Sequence, residues 1–405
     1  MAKFLGPFFS KPILSKEVEP DFSLFYELGQ LFSKIPLNAK IGIALYMWNN
    51  DDGLNKKGYH HKWQNVPGNP KNITEIFLSK IKSSDCEIIL DNYISQYHAK
   101  TLGFLIDNIG EAGLIVDTRT GVNDPEIRRK LYESHKMAKI GYMHDKFILI
   151  SELEGIGKHI VVQTTANINI TQCHQFNNAI VVYDDEYLYS KYLAHWENLK
   201  NKILTRQLNS QNGTDLPEEE NVYAGLPLNL DKQVNVFFFP RNDCPIEEEL
   251  SNLLTVDYKC QIDICMAYLT RLRTRSILKK LSKLHKIRII LSEEDQNQTT
   301  IDSFKDCNIS LKIIKNKRYN TEVGLDENGE RRILDNWKAR MHHKFLLING
   351  DKHKIVWTGS YNLTYPGLKL NDETVLRIKD SQVHRAYTKI FNMLWTPVKS
   401  MKKIF

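Results

Sequence analysis

Continuous apolar runs recur along this chain, each bounded by Gly, Pro, Asn or Asp, and read as buried strands alternating with amphipathic helices. In the first half the pattern predicts strands over Ala39–Trp48, Cys86–Leu90, Leu114–Val116, the run Tyr142–Ile150, His159–Gln163 and Ala179–Tyr183. Helical spacing falls on Asp21–Phe32, Ile73–Ser83 (with Asn72 as its cap), Ala99–Ile109, Pro125–Ser134 and Glu186–Asn201. Residues 1–20, with Pro7, Pro12 and Pro20, read as irregular, and 49–71 as a polar surface loop.

The order then starts again. Strands are expected over Val234–Phe239, Gln261–Tyr268, Ile287–Leu291, Ser310–Ile314, the run Arg340–Ile348, Ile355–Thr358 and Glu373–Ile378. Helices are expected over Ile246–Leu254, Thr274–His285 and Gln382–Leu394. Landmarks repeat at a nearly constant offset: His144 and His342 lie 198 residues apart, Asn167 and Asn362 195, Asn178 and Glu373 195, Trp196 and Trp395 199. Two copies of an alternating β/α unit account for this, placing one unit at 1–202, a linker at 203–233 around the acidic run Glu218–Glu220, and a second unit at 234–405.

The 405 residues suffice for more than one ordinary domain, and 42% hydrophobic with 25% charged residues is globular composition. A net charge of +7 biases the surface mildly toward anionic partners. The six Cys (86, 173, 244, 260, 265, 307) show neither CxxC nor ligand spacing with His, so reduced thiols are expected and no metal site. No apolar run approaches bilayer-spanning length, and the Phe4–Phe9 stretch, broken by Gly6 and Pro7, makes a poor secretory signal. A cytoplasmic location is the default expectation.

The chemistry concentrates in two stretches, Tyr142-Met143-His144-Asp145-Lys146-Phe147 and Arg340-Met341-His342-His343-Lys344-Phe345. Each sets a His and a Lys two residues apart at the entrance to an apolar run, where alternation along a strand directs both to one face. An imidazole beside a fixed ammonium suits attack on, or protonation of, an anionic phosphate ester. His-x-Lys alone is a weak signal: His60, His61 and Lys62, and His98 with Lys100, match it too, and read as surface residues. The pairs at 144/146 and 342/344 differ in having matching sequels, Thr164-Thr165-Ala166-Asn167 and Thr358-Gly359-Ser360-Tyr361-Asn362. Their Gly, Ser, Thr and Asn residues can bind phosphate oxygens, which nominates Thr165, Asn167, Ser360 and Asn362. Tyr361, Trp357, Trp196 and Trp395 read as core, Arg271, Arg273 and Arg275 as a solvated helix start within reach of an anion, and Lys315–Arg332 as a loop covering the site.

With these motifs in hand, the chain resembles the phospholipase D superfamily, in which two HxK(x)4D motifs, each followed by GSxxN-like residues, meet in one active site. The resemblance runs from about Ile41 to Trp395. It implies two tandem α/β/α sandwich units with mixed sheets, related by internal pseudo-twofold duplication. It also implies metal-independent phosphodiester exchange, without cofactor, through a covalent phosphohistidine. One His attacks, the other serves as acid and then base, and Lys146, Lys344 and the Asn residues stabilise charge. Because Glu373 follows the second motif while Asn178 holds the matching first-half position, we expect Glu373 to partner His342 as the general acid and His144 to be the nucleophile. The chain departs from the pattern at the usual Asp, replaced by Ser151 and Asn349, with Glu152 or Asp351 as stand-ins. A phospholipid substrate with peripheral membrane contact is favoured; a nuclease using the same residues, and a phosphate-binding module without catalysis, are the competing readings.

Overall fold

The computed structural model describes residues 2–14, 18–48, 66–81, 85–91, 105–107, 109–110, 113–117, 141–211, 227–320, 324–325, 331–332, 336–350 and 353–396. The His-x-Lys matches at 60–62 and 98–100, the helix expected over Pro125–Ser134, most of the loop expected over 49–71 and most of the helix expected over Ala99–Ile109 lie outside them.

Two seven-stranded sheets carry the fold. The first contains β1 (Lys3–Phe9), β2 (Ile41–Leu45), β3 (Cys86–Asp91), β4 (Leu114–Asp117), β5 (Lys146–Leu153), β6 (Gly157–Thr164) and β7 (Asn178–Tyr183), in the spatial order β1-β7-β6-β5-β2-β3-β4. The second contains β8 (Val234–Phe239), β9 (Gln261–Met266), β10 (Lys286–Ser292), β11 (Ile309–Ile314), β12 (Lys344–Asn349), β13 (Lys354–Gly359) and β14 (Glu373–Lys379), in the order β8-β14-β13-β12-β9-β10-β11. Subtracting seven from each label of the second order gives the first, so the duplication read from sequence offsets is a duplication of topology. Both sheets are mixed: β2, β3 and β4 run parallel, as do β9, β10 and β11, while the remaining pairs are antiparallel.

The motif strands are continuously apolar over Phe147–Ile150 and Phe345–Ile348 because both their faces are covered there. Phe147 and Leu149 of β5 and Phe345 and Leu347 of β12 face a central cluster shared by both halves, containing Tyr192, Trp196, Phe238 and Tyr387. Their alternate neighbours, Ile148 and Ile150, pack into an outer cluster of the first half, and Leu346 and Ile348 into one of the second. The central layer is filled by the helices Glu186–Gln211 and Ser381–Trp395. The first also packs against β8 and the second against β1, so each closing helix touches the opposite half.

Three local expectations change. Residues 3–9 are an edge strand rather than irregular; they pair with β7, with a register shift between Leu5 and Phe8 at the Gly6-Pro7 step, which masked the alternation. The second helix, Pro70–Leu78, is capped by Asn69, whose side chain accepts from the Lys71 N–H at 2.9 Å, and not by Asn72; Pro70 fits the first helical turn, where its missing N–H costs nothing. The closing helix of the first half runs on from the expected Asn201 to Gln211.

Candidate active site

The two motifs meet at the boundary between the halves, joined first by backbone. His144 donates its N–H to Asp372 O at 3.0 Å and Asp372 donates to Tyr142 O at 2.9 Å; His342 donates to Phe176 O and Phe176 to Arg340 O, both at 3.1 Å. These reciprocal bonds splice the segment before each motif strand to the segment preceding β14 or β7 of the other half. The strands themselves begin at Lys146 and Lys344, two residues after the imidazoles. Each ammonium folds back on its own motif: Lys146 Nζ donates to His144 O at 2.8 Å and Lys344 Nζ to His342 O at 3.1 Å.

Side chains cross the boundary in the same way. His144 Nδ1 lies 2.8 and 2.9 Å from the two carboxylate oxygens of Glu373. His342 Nδ1 lies 2.8 Å from Asn177 Oδ1. The expected partnership of Glu373 with His342 is therefore corrected: Glu373 belongs to the imidazole of the opposite half. The first-half counterpart of Glu373 is Asn177, not Asn178, which instead donates to His343 Nδ1 at 3.0 Å. The shift of one residue follows from the cross-half pairing, in which Asp372 occupies the place of Phe176.

The amide of Asn177 is fixed in orientation. Its Nδ2 donates to Gln172 O at 3.0 Å and Thr165 Oγ1 donates to its Oδ1 at 3.1 Å, so His342 Nδ1 is the N–H donor to that oxygen. Glu373 is held correspondingly by Asn371 Nδ2 at 3.1 Å and by the Ser360 hydroxyl. Thr165 and Ser360 thus support the partners of the two imidazoles. Asn167 Oδ1 accepts from Met47 N at 3.1 Å, leaving its Nδ2 as the donor available to a ligand, while Asn362 Oδ1 is buried without a partner among the described residues.

The electrostatics show one shared site. Burial lowers the His144 imidazole well below its ordinary value, and the Lys146 and Lys344 ammoniums push in the same direction. His342 is lowered well below the usual range by burial, then by Lys344, Arg340, Lys146 and His144 itself. Burial also brings Lys146 down to about 8, against the opposing charges of Glu373, Asp145 and Asp91. Lys344 is lowered well below its ordinary value by burial and by Lys146. Burial pushes Glu373 up to about 7, despite the pull of Lys146 and Lys344. The site therefore gathers cations whose charge a bound anion would relieve.

Other sequence candidates lie elsewhere. Arg271 binds Glu247 at 2.6 Å, Arg275 donates to Thr299 O at 3.1 Å, and Arg273 is exposed, so this run ties helices together. Tyr361 stacks on Phe239 with centroids 4.5 Å apart and Trp357 is bonded to Glu249, both in the core. Ser151 and Asn349, at the usual Asp positions, sit five residues along their strands from the lysines, about 16 Å away at the strand rise. Ser151 Oγ accepts from Lys40 N at 2.9 Å, Asn349 accepts from Lys354, and Glu152 pairs in register with Lys158; Asp351 lies outside the described residues. Sequence reading missed Asn177, Asn371 and Arg340, and also Tyr46, whose ring lies 5.2 Å from His144 with Lys146 Nζ 5.3 Å from its centroid.

Comparison with known proteins agrees with this geometry. The family described as "Cardiolipin synthase, PLD-like domain" matches residues 258–395. The phosphatidylserine synthase of Haemophilus influenzae Rd KW20 superposes over 96% of this chain and 87% of its own, with a TM-score of 0.53 at 12% identity, a likeness of fold. Residues 258–395 thus carry a phospholipase D-like domain. The mitochondrial cardiolipin hydrolase of Chlamydomonas reinhardtii is 27% identical over 142 residues, 34% of this chain and 52% of that protein. The protein of the same name from Xenopus laevis is 38% identical over 61 residues, 15% of this chain and 28% of its own. The chain thus matches about half or less of each relative's length. Both relatives are named as mitochondrial, which overturns the cytoplasmic default. No helix among the described residues is long and apolar enough to cross a membrane.

Proposed function

We propose that the chain is a phospholipase D-type phosphodiesterase that cleaves or exchanges a phospholipid headgroup through a phosphohistidine formed on His144. The observation that carries this is the bond from His144 to Glu373 across the halves, beside two lysines and a second imidazole. With its Nδ1–H given to Glu373, His144 keeps the Nε2 lone pair for attack on phosphorus, and the carboxylate stabilises the cationic ring that results. The P–N bond forms as the P–O bond to the leaving group breaks, and His342, protonated once the bound phosphate offsets the cations that lower it, gives its Nε2 proton to the departing oxygen. His342 then takes a proton from water or an alcohol, whose oxygen displaces His144 and restores both rings. Lys146, Lys344, Asn167 and Asn362 hold the non-bridging oxygens as charge builds on them.

His144 remains the nucleophile, for a reason different from the one the sequence suggested. The amide of Asn177 orients His342 without adding negative charge, which leaves that ring the more acidic of the two. A lipid substrate is supported by the names of the relatives, the cardiolipin hydrolases. The test is mapping of the acid-labile covalent intermediate after a rapid denaturing quench kept at neutral to alkaline pH, with phospholipid vesicles in one arm and single- and double-stranded DNA in another, all in EDTA. We expect lipid turnover and label on the His144 peptide. Label on His342 would reverse the roles, cleavage of DNA alone would make the protein a nuclease, and no turnover in either arm would leave a phosphate-binding module.

A further inference from the structure

The residue between His and Lys in each motif has the parity of Phe147 or Phe345, and so points into the central layer, away from the lysine. In the second half this is His343, and in the first it is Asp145; both are fully buried. Asp145 accepts from Thr374 Oγ1 through one oxygen and lies 2.7 Å from His195 Nε2 through the other. Thr374 directly follows Glu373, and its N–H donates to Ser360 Oγ at 3.0 Å. Two successive residues of one half, His144 and Asp145, are thus bonded to two successive residues of the other, Glu373 and Thr374. His342 and His343 with Asn177 and Asn178 form the equivalent pair of bonds.

Only the first of these braces contains a charged residue at its inner position. Its counterweight, His195, comes from the helix Glu186–Gln211 and is itself fully buried. Its ring stacks on Phe238 of β8 in the other half, with centroids 4.1 Å apart and 18° between planes. A buried carboxylate held by an imidazole, which in turn is clamped by the opposite half, is a costly device unless its partner geometry matters. We propose that Asp145 and His195 are a positioning pair that holds the His144–Glu373 pair in register across the boundary, and that this role rests on the reading of His144 and Glu373 as catalytic. Movement of Thr374 by loss of the Asp145 acceptor would carry Glu373 with it. Asp145 also acts on the neighbouring ammonium: Lys146 faces the charges of Glu373, Asp145 and Asp91 and the ring of Tyr46, and loses one of the three carboxylates when Asp145 is neutralised.

The test is steady-state kinetics on a soluble diester, bis-p-nitrophenyl phosphate, with Asp145→Asn, His195→Ala and His195→Gln. Asp145→Asn and His195→Ala are expected to lower kcat by about 100-fold with KM little changed, as misplacement by a fraction of an ångström to an ångström does. In Asp145→Asn the alkaline limb of the pH profile should move to lower pH, since Lys146 loses a stabilising charge. His195→Gln, which restores a donor, should recover part of the kcat lost in His195→Ala. Unchanged kcat and an unmoved limb in folded Asp145→Asn and His195→Ala would overturn the proposal. If His195→Ala does not fold, the near-isosteric Asp145→Asn carries the test alone. Absence of wild-type turnover would sink the proposed function instead; the brace is then read from the ring-nitrogen NMR shifts of His144, which Asp145→Asn must displace if the pair positions it and leaves in place if it does not.

Discussion

Glu373, the first residue of β14, binds His144, which precedes β5 in the other half of the chain, through both carboxylate oxygens at 2.8 and 2.9 Å. Replacing it by Gln keeps a hydrogen-bond acceptor and removes the charge that would stabilise the cationic phosphohistidine. Glu373→Gln is expected to lower kcat by about 100-fold or more in assays on vesicles or on a soluble diester, a typical range for loss of a catalytic proton partner.

The same substitution should stabilise the fold at alkaline pH. Glu373 titrates at about 7 in the protein against an ordinary 4.5, so the native state holds a proton between these values that the unfolded chain releases. Stability from this group is complete below pH 4.5 and lost as pH rises through 7. Thermal melts of Glu373→Gln should therefore exceed the wild type at pH 8 and converge with it at low pH.

Lys146 sets an alkaline limit. Its ammonium, lowered to about 8 by burial, is lost above that pH, and with it a charge on the phosphate oxygens. The wild-type rate should fall on that limb. Lys146→Arg, which stays charged, should be slower throughout and lack the step, leaving whatever second fall the lowered Lys344 contributes.

Restoring the usual acid of the motif should change little. Ser151→Asp and Asn349→Asp place carboxylates at the far ends of β5 and β12, about 16 Å along the strand from the lysines. Rates within about threefold of the wild type are expected, because charges separated by more than a Debye length of about 8 Å are screened at physiological salt. A large gain in kcat would show that the site reaches further along the strands.

In the second half, Glu249 joins Arg377 at 2.7 Å and bonds Trp357, all three buried. Glu249→Ala leaves the guanidinium without its counterion inside the protein, and denaturant titration should show a loss of about 3–5 kcal/mol.

The motif residues and most strands were legible because their information is local. A His and a Lys at the mouth of an apolar run, followed by Thr or Gly-Ser and an Asn, can be read along one segment, and Val234–Phe239 is a strand with the bounds its apolar run implies. What could not be read is who faces whom. Aligning the halves by Asn167 and Asn362 makes Asn178 the counterpart of Glu373, yet the backbone bonds of Asp372 and Phe176 set the register one residue earlier, at Asn177. No pattern within one segment encodes that step. His195 was hidden for a similar reason: it sits on a helix whose other inward residues, Tyr192, Trp196 and Leu199, are apolar, and its bond to Asp145 spans 50 residues of sequence.

The exchange of partners between halves has a consequence for how unlike the two imidazoles can become. Were the halves separate, identical subunits related by a twofold axis, every position would be occupied twice by the same residue, and both rings would share one kind of neighbour. Because one polypeptide holds both copies, an acid can stand by one ring and an amide by the other. On the proposed mechanism, division of labour between nucleophile and proton donor is then written into the covalent chain, rather than chosen anew each time a substrate arrives.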